Sequence, residues 1–296
     1  MKTVTLLDGG MGQELVRRSG KNPSPLWSAQ VMLDSPDIVE QLHIDFIQSG
    51  SRVITLNAYS ATPERLAQHD EAQNFDSLQL AACEVAINAR NRAAVDGVQI
   101  AGCLPPLVAS YHPELAPPRD ISLAHYRRIV AAQAPHVDLF MCETMASESE
   151  AVYAATSALE SGKPVWVALT LDDMDAKQLR SGEPWQKAVD SIQMLGVDAI
   201  LLNCSRPETI GEIWQDFVAA CDAPVGAYAN GFTAVTALKP GGTVDSLEAR
   251  HDLGPDAYKS FAMDWVDKGA TLIGGCCEVV PAHIAALNPA LSERVS

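Results

Sequence analysis

Three cysteines carry the strongest chemical signal in this chain. Cys276 and Cys277 are adjacent and follow Gly274-Gly275, and Cys204 follows Asn203 at the end of an apolar run. Three thiolates brought together from the ends of two strands can hold a zinc ion and leave its fourth tetrahedral position open, as catalytic sites do and structural sites do not. Spacing alone leaves the assignment open. A Cys-Cys pair without a two-residue gap is no zinc-finger signature, and neighbouring cysteines can also form a strained disulfide or stay free. Gly274 and Gly275 let the backbone turn sharply, so that adjacent side chains can converge on one point. The remaining cysteines read as packing residues: Cys83 on a helical face, Cys221 near a helix end, Cys103 and Cys142 at strand ends.

The elements that must position these residues follow a repeated pattern. Short β-rich apolar runs fall at 4–7, 53–56, 98–103, 139–142, 165–169, 199–203, 225–228 and 271–273. Helical periodicity fills 36–49, 77–96, 122–134, 148–161, 185–195, 209–220 and 257–268. Pro36 behind Ser35 and Gly50 past the end mark the boundaries of the first of these helices. Alternating strands and helices predict a parallel (β/α)8 TIM barrel, a single domain over 1–296. A doubly wound open sheet uses the same units, but no Gly-x-Gly-x-x-Gly follows the first strand. The stretches 105–120 and 171–182 lack periodicity and read as long loops after the third and fifth strands.

A barrel of this kind builds its active site where strands end and the following loops begin. Those positions hold Asp8, Asn57, Cys103, Glu143, Thr170, Asn203 with Cys204, Asn230, and Cys276 with Cys277. Potential metal ligands, two carboxylates and several amides therefore share one rim.

Composition narrows the partners. A net charge of −16 argues against nucleic acid or an anionic membrane surface. No apolar run approaches the roughly 18 residues of a membrane span. The opening Met1-Lys2-Thr3-Val4-Thr5-Leu6-Leu7-Asp8 turns polar too soon for a signal peptide. Seven cysteines, an odd number lying mostly in apolar runs, fit a reducing cytoplasm with free or metal-bound thiols.

These residues resemble a known family. Asp8-Gly9-Gly10-Met11-Gly12, Leu26-Trp27-Ser28-Ala29, Asn57-Ala58-Tyr59-Ser60-Ala61-Thr62, Glu143-Thr144, Asn203-Cys204 and Gly274-Gly275-Cys276-Cys277 look like the motifs of cobalamin-independent homocysteine S-methyltransferases. That group includes the betaine-dependent and S-methylmethionine-dependent enzymes. The resemblance runs from the first strand to the last, and Asn-Cys with a late Gly-Gly-Cys-Cys is its specific part.

The resemblance implies a (β/α)8 barrel, zinc on Cys204, Cys276 and Cys277, and homocysteine as methyl acceptor. Zinc deprotonates a bound thiol outright, and four thiolates around it would keep the acceptor sulfur electron-rich. It also implies that Asp8 and Glu143 hold the acceptor's ammonium through charge-assisted hydrogen bonds. Backbone N–H groups around Gly9 and Gly10 would approach its carboxylate. Without the resemblance, Asp8 reads as a turn residue and Glu143 as a helix-start carboxylate near Ser147. Trp27 and Tyr59 match aromatic positions on the donor side, where ring faces attract a sulfonium or quaternary ammonium. Asn57, Asn203 and Asn230 are expected to orient substrates, with Asn203 also supporting the metal ligands.

The implied donor is S-methylmethionine or a similar sulfonium. Betaine, dimethylsulfoniopropionate, S-adenosylmethionine, a selenol acceptor, or a separate corrinoid partner protein are the alternatives. The chain ends at Ser296, soon after Cys277, which places it nearer the compact S-methylmethionine group and leaves its oligomeric state open. Asn230-Gly231-Phe232 and the loop 239–256 match no version of the family motif.

Overall fold

A computed structural model of the chain describes residues 3–20, 26, 28–239 and 247–292. The strands are β1 (Thr5–Leu6), β2 (Val53–Thr55), β3 (Gln99–Leu104), β4 (Leu139–Met145), β5 (Val165–Leu169), β6 (Ala199–Asn203), β7 (Val225–Tyr228) and β8 (Leu272–Ile273). They pair in the order β1-β8-β7-β6-β5-β4-β3-β2, and every pairing is parallel. A parallel bridge from Leu7 to Val53, with Arg52 N–H donating to the Leu6 carbonyl at 2.7 Å, joins β1 to β2 and closes the sheet. That closure excludes the doubly wound alternative.

The period of two along each strand separates two cores. Leu7, Val53, Ala101, Leu139, Met141, Ala168, Leu201, Tyr228 and Leu272 pack together inside the barrel. Leu6, Ile54, Ile100, Phe140, Val167, Leu169, Ile200, Leu202 and Ile273 face outward into the larger core against the helices.

The helices are α1 (Met11–Ser19), α2 (Ser28–Asp34), α3 (Pro36–Ser49), α4 (Pro63–Gln68), α5 (Phe75–Ala93), α6 (Arg119–Gln133), α7 (Glu148–Leu159), α8 (Trp185–Met194), α9 (Pro207–Ala220), α10 (Pro255–Asp267) and α11 (Pro281–Ser292). Pro36 starts α3, and Gly50 ends it at a φ of 120° that favours glycine. Helices α1, α2, α4 and α11 lie outside the helical runs read from the sequence. α2 and α4 span two turns or fewer, and α11 carries Pro289 inside it. A helix with an internal proline is held by its packing, here by buried Ile284 and Leu287, more than by local propensity.

Candidate active site at the C-terminal rim

The loop after β8 and the end of β6 bring the three thiols together. The sulfurs of Cys204, Cys276 and Cys277 all lie within 4.8 Å of one another. Cys204 takes a left-handed backbone, φ 49°, as the chain leaves β6. Its carbonyl accepts from Asn230 Nδ2 at 2.9 Å, Thr170 Oγ1 at 3.3 Å and Arg180 Nη2 at 3.4 Å, which hold that conformation. On the other side, Cys276 N–H donates to Ala229 and Gly275 N–H to Asp8, both at 2.9 Å. A side chain at Gly10 would sit 2.5 Å from the Cys276 carbonyl, and one at Gly275 would sit 2.0 Å from Val279. Gly10 is therefore demanded by the close approach of the first and last strand loops, and Gly275 by the tight turn after β8.

Three thiols this close titrate as a unit. Hydrogen bonds from Cys276 and Cys277 pull Cys204 well below the usual thiol range, and the contact with Cys204 pushes both of them up. A divalent cation would displace the remaining protons, and an all-sulfur donor set suits a soft or borderline metal such as zinc.

Two carboxylates face the same cavity. Asp8 Oδ2 accepts from Thr55 N–H at 2.7 Å, which fixes it across β1 and β2. Burial raises Asp8 to about 8, and the Thr55 N–H offsets part of that while the nearby Glu143 charge adds to it. Glu143 continues the inward row of Leu139 and Met141 on β4. Burial raises it to about 7; a hydrogen bond from Cys103 opposes the rise and the Cys204 charge adds to it. A cation placed between two desolvated carboxylates of this kind would favour their charged forms.

The helix-start carboxylate near Ser147 is Glu150, not Glu143. Ser147 Oγ accepts from Glu150 N–H at 3.2 Å, and Glu150 Oε2 accepts from Ala146 N–H at 3.2 Å, a reciprocal cap on α7.

The cavity holds about 830 Å³ of empty space including its open mouth, and Met11, Tyr59, Tyr111, Met141, Tyr228 and Leu238 make much of its wall. Tyr59 donates to or accepts from Ser110 Oγ at 2.8 Å. Tyr111, at φ 67°, donates its hydroxyl to Cys204 Sγ at 3.3 Å, and the Arg180 guanidinium lies 4.7 Å from its ring centre. Arg180 in turn pairs with buried Asp173 at 3.1 Å. The Tyr228 hydroxyl is buried with no hydrogen-bond partner among the described residues.

The rim positions divide into two groups. Asp8, Gly9, Gly10, Asn57, Tyr59, Glu143 and the three thiols line the cavity. Gly10 N–H is already taken by the Val279 carbonyl at 2.8 Å, so it cannot serve an acceptor carboxylate. Asn203 and Asn230 do not line the cavity. The Asn203 amide accepts from Thr144 N–H and donates to Thr144 Oγ1, both at 3.0 Å, and Asn230 holds Cys204 from behind. Both asparagines hold backbone at strand ends, a correction to the expectation that they contact substrate. Cys103 also differs from its expected packing role, since its Sγ donates to Glu143 Oε1 at 3.0 Å. Trp27 lies outside the described residues, as does 240–246 of the unmatched loop. Tyr111 and Arg180 escaped the sequence reading because they belong to the two aperiodic loops; their place after β3 and β5, at the rim, was the available signal.

Comparison with known proteins gives concordant matches. The family described as Homocysteine S-methyltransferase matches residues 5–291. Homocysteine S-methyltransferase of Escherichia coli (strain K12) is 29% identical, with 96% of this chain and 94% of that protein covered. Selenocysteine Se-methyltransferase of Brassica oleracea var. italica is 25% identical, over 98% and 90%. The crystal structure of the homocysteine methyltransferase MmuM from Escherichia coli, metallated form, superposes with a TM-score of 0.80 at 25% identity, over 98% of this chain and 96% of that one.

Proposed function

This chain belongs to the homocysteine S-methyltransferase family, and from that premise we propose that it transfers a methyl group from S-methylmethionine or a similar sulfonium to L-homocysteine, giving methionine. The observation that carries the reading is the convergence of three thiols and two desolvated carboxylates on one cavity.

Cys204, Cys276 and Cys277 would hold a zinc ion, which when bound keeps the acceptor sulfur deprotonated at neutral pH. The metallated form of MmuM supports a metal on a homologous scaffold. Asp8 and Glu143 bind the acceptor's ammonium, and their raised affinity for protons becomes affinity for that cation. Tyr59 lines the cavity, with the Arg65 guanidinium 5.3 Å from its ring centre, and offers the rest of its ring surface to the donor cation. The acceptor sulfur forms a bond to the methyl carbon while the donor's sulfur–methyl bond breaks. That electron pair stays on the donor sulfur, which leaves as a neutral thioether. No protein base is needed at this step, because the thiol proton has already gone to solvent. Seven free cysteines support a cytoplasmic setting.

Methionine formation by the zinc-loaded protein, with S-methylmethionine, dimethylsulfoniopropionate, betaine and S-adenosylmethionine in parallel, tests the reading. Turnover with a sulfonium and homocysteine is expected. Turnover only with betaine would replace the donor. No turnover unless a corrinoid protein is added would shift the reading to the partner-dependent class.

A further inference from the structure

We propose that Cys103 is a positioning residue for the acceptor: its thiol holds the Glu143 carboxylate in the orientation that receives the substrate's ammonium. The inference rests on the homocysteine reading above and names a residue which that reading does not use.

Cys103 stands on β3 opposite Met141 of β4, two positions before Glu143. The period of two that turns Ala101 inward also turns Cys103 inward, beside the row that ends in Glu143. Its Sγ donates to Glu143 Oε1 at 3.0 Å. The thiol thus joins the end of β3 to the carboxylate on β4.

The backbone of Cys103 is itself held. Its N–H donates to Gln133 Oε1 at 2.9 Å, and its carbonyl accepts from Gln133 Nε2 at 3.3 Å. Gln133 Nε2 also donates to Gln79 Oε1 at 2.7 Å, and Gln79 Nε2 to the Ala61 carbonyl at 2.8 Å. Both glutamines are buried behind the barrel wall.

With Oε1 occupied by the thiol, Oε2 is the oxygen left for an ammonium.

The test compares wild type, Cys103→Ala and Cys103→Ser, all zinc-loaded, with homocysteine and with 4-mercaptobutanoate, which is homocysteine lacking the amino group. Cys103→Ala should raise the KM for homocysteine roughly tenfold or more with kcat little changed, the usual size of a lost hydrogen bond to a charged group. The KM for 4-mercaptobutanoate should stay within about twofold, since its binding makes no use of the Glu143 charge. Cys103→Ser, which keeps a donor, should recover most of the homocysteine KM. Equal penalties on both thiols, no penalty on either, or loss of zinc from Cys103→Ala would each overturn the proposal. Absence of homocysteine turnover in wild type would overturn the functional reading instead, so the two failures are distinguishable.

Discussion

Asp8 and Glu143 set binding against stability. Each is desolvated, and each has its folded pKa raised, to about 8 and about 7 from ordinary values of 3.8 and 4.5. A carboxyl with a raised folded pKa favours the fold in its neutral form. That advantage is complete below the ordinary value and is lost as pH climbs to the folded value. Asp8→Asn removes the penalty of charging. Its stability relative to wild type should therefore grow from near zero at pH 4 to about 2 kcal/mol or more by pH 8, read by urea denaturation at a series of pH values. Its KM for homocysteine should rise by at least an order of magnitude in a steady-state assay at pH 8. The thiols carry a separate prediction. Cys204→Ala, Cys276→Ala and Cys277→Ala should each lose bound zinc and turnover while keeping the wild-type far-ultraviolet circular dichroism; one such variant with full metal and full activity would refute the ligand set.

Between elements, the two buried asparagines act as ties. Asn203 on β6 clamps Thr144, held at φ 62° directly after Glu143, and Asn230 after β7 clamps Cys204 at φ 49°. Left-handed conformations are costly for residues with side chains and persist where surroundings impose them. Asn203→Ala should cost about 2–4 kcal/mol by denaturant titration, since two buried hydrogen bonds are lost, and should weaken homocysteine binding through Glu143. The sequence placed both asparagines at the rim, yet strand periodicity does not tell an amide aimed at a cavity from one aimed at the neighbouring strand. Cys103 was obscured for a similar reason, because a buried thiol reads as an apolar residue until its partner is known. Five of the eight strands depart by a residue or more from the sequence assignment at an end, whereas β5 and β7, each entered from a proline (Pro164, Pro224), and β6, entered from Asp198, coincide with it. For Tyr111 and Arg180 the sequence offers only their place at the rim, because their loops are shaped by distant contacts, such as Asp173 Oδ2 accepting from Val235 N–H and His112 Nε2 bonding the Leu238 carbonyl.

The whole molecule depends on closure. The contact between the β1 and β8 loops that seats Gly9 and Gly10 against Val279 and Cys276 also joins the ends of the barrel. Gly10→Ala should therefore lower both thermal stability and zinc retention, with a loss on the order of 2 kcal/mol, the overpacking range, in a thermal melt. A metal that binds only the folded arrangement should raise the melting temperature, and a chelator should lower it in wild type but not in Cys204→Ala. The most direct test of the central claim is zinc K-edge X-ray absorption on the loaded protein before and after homocysteine is added. A shell of three sulfurs and one lighter atom should become one of four sulfurs. A shell that keeps three sulfurs while methionine is formed would contradict the claim.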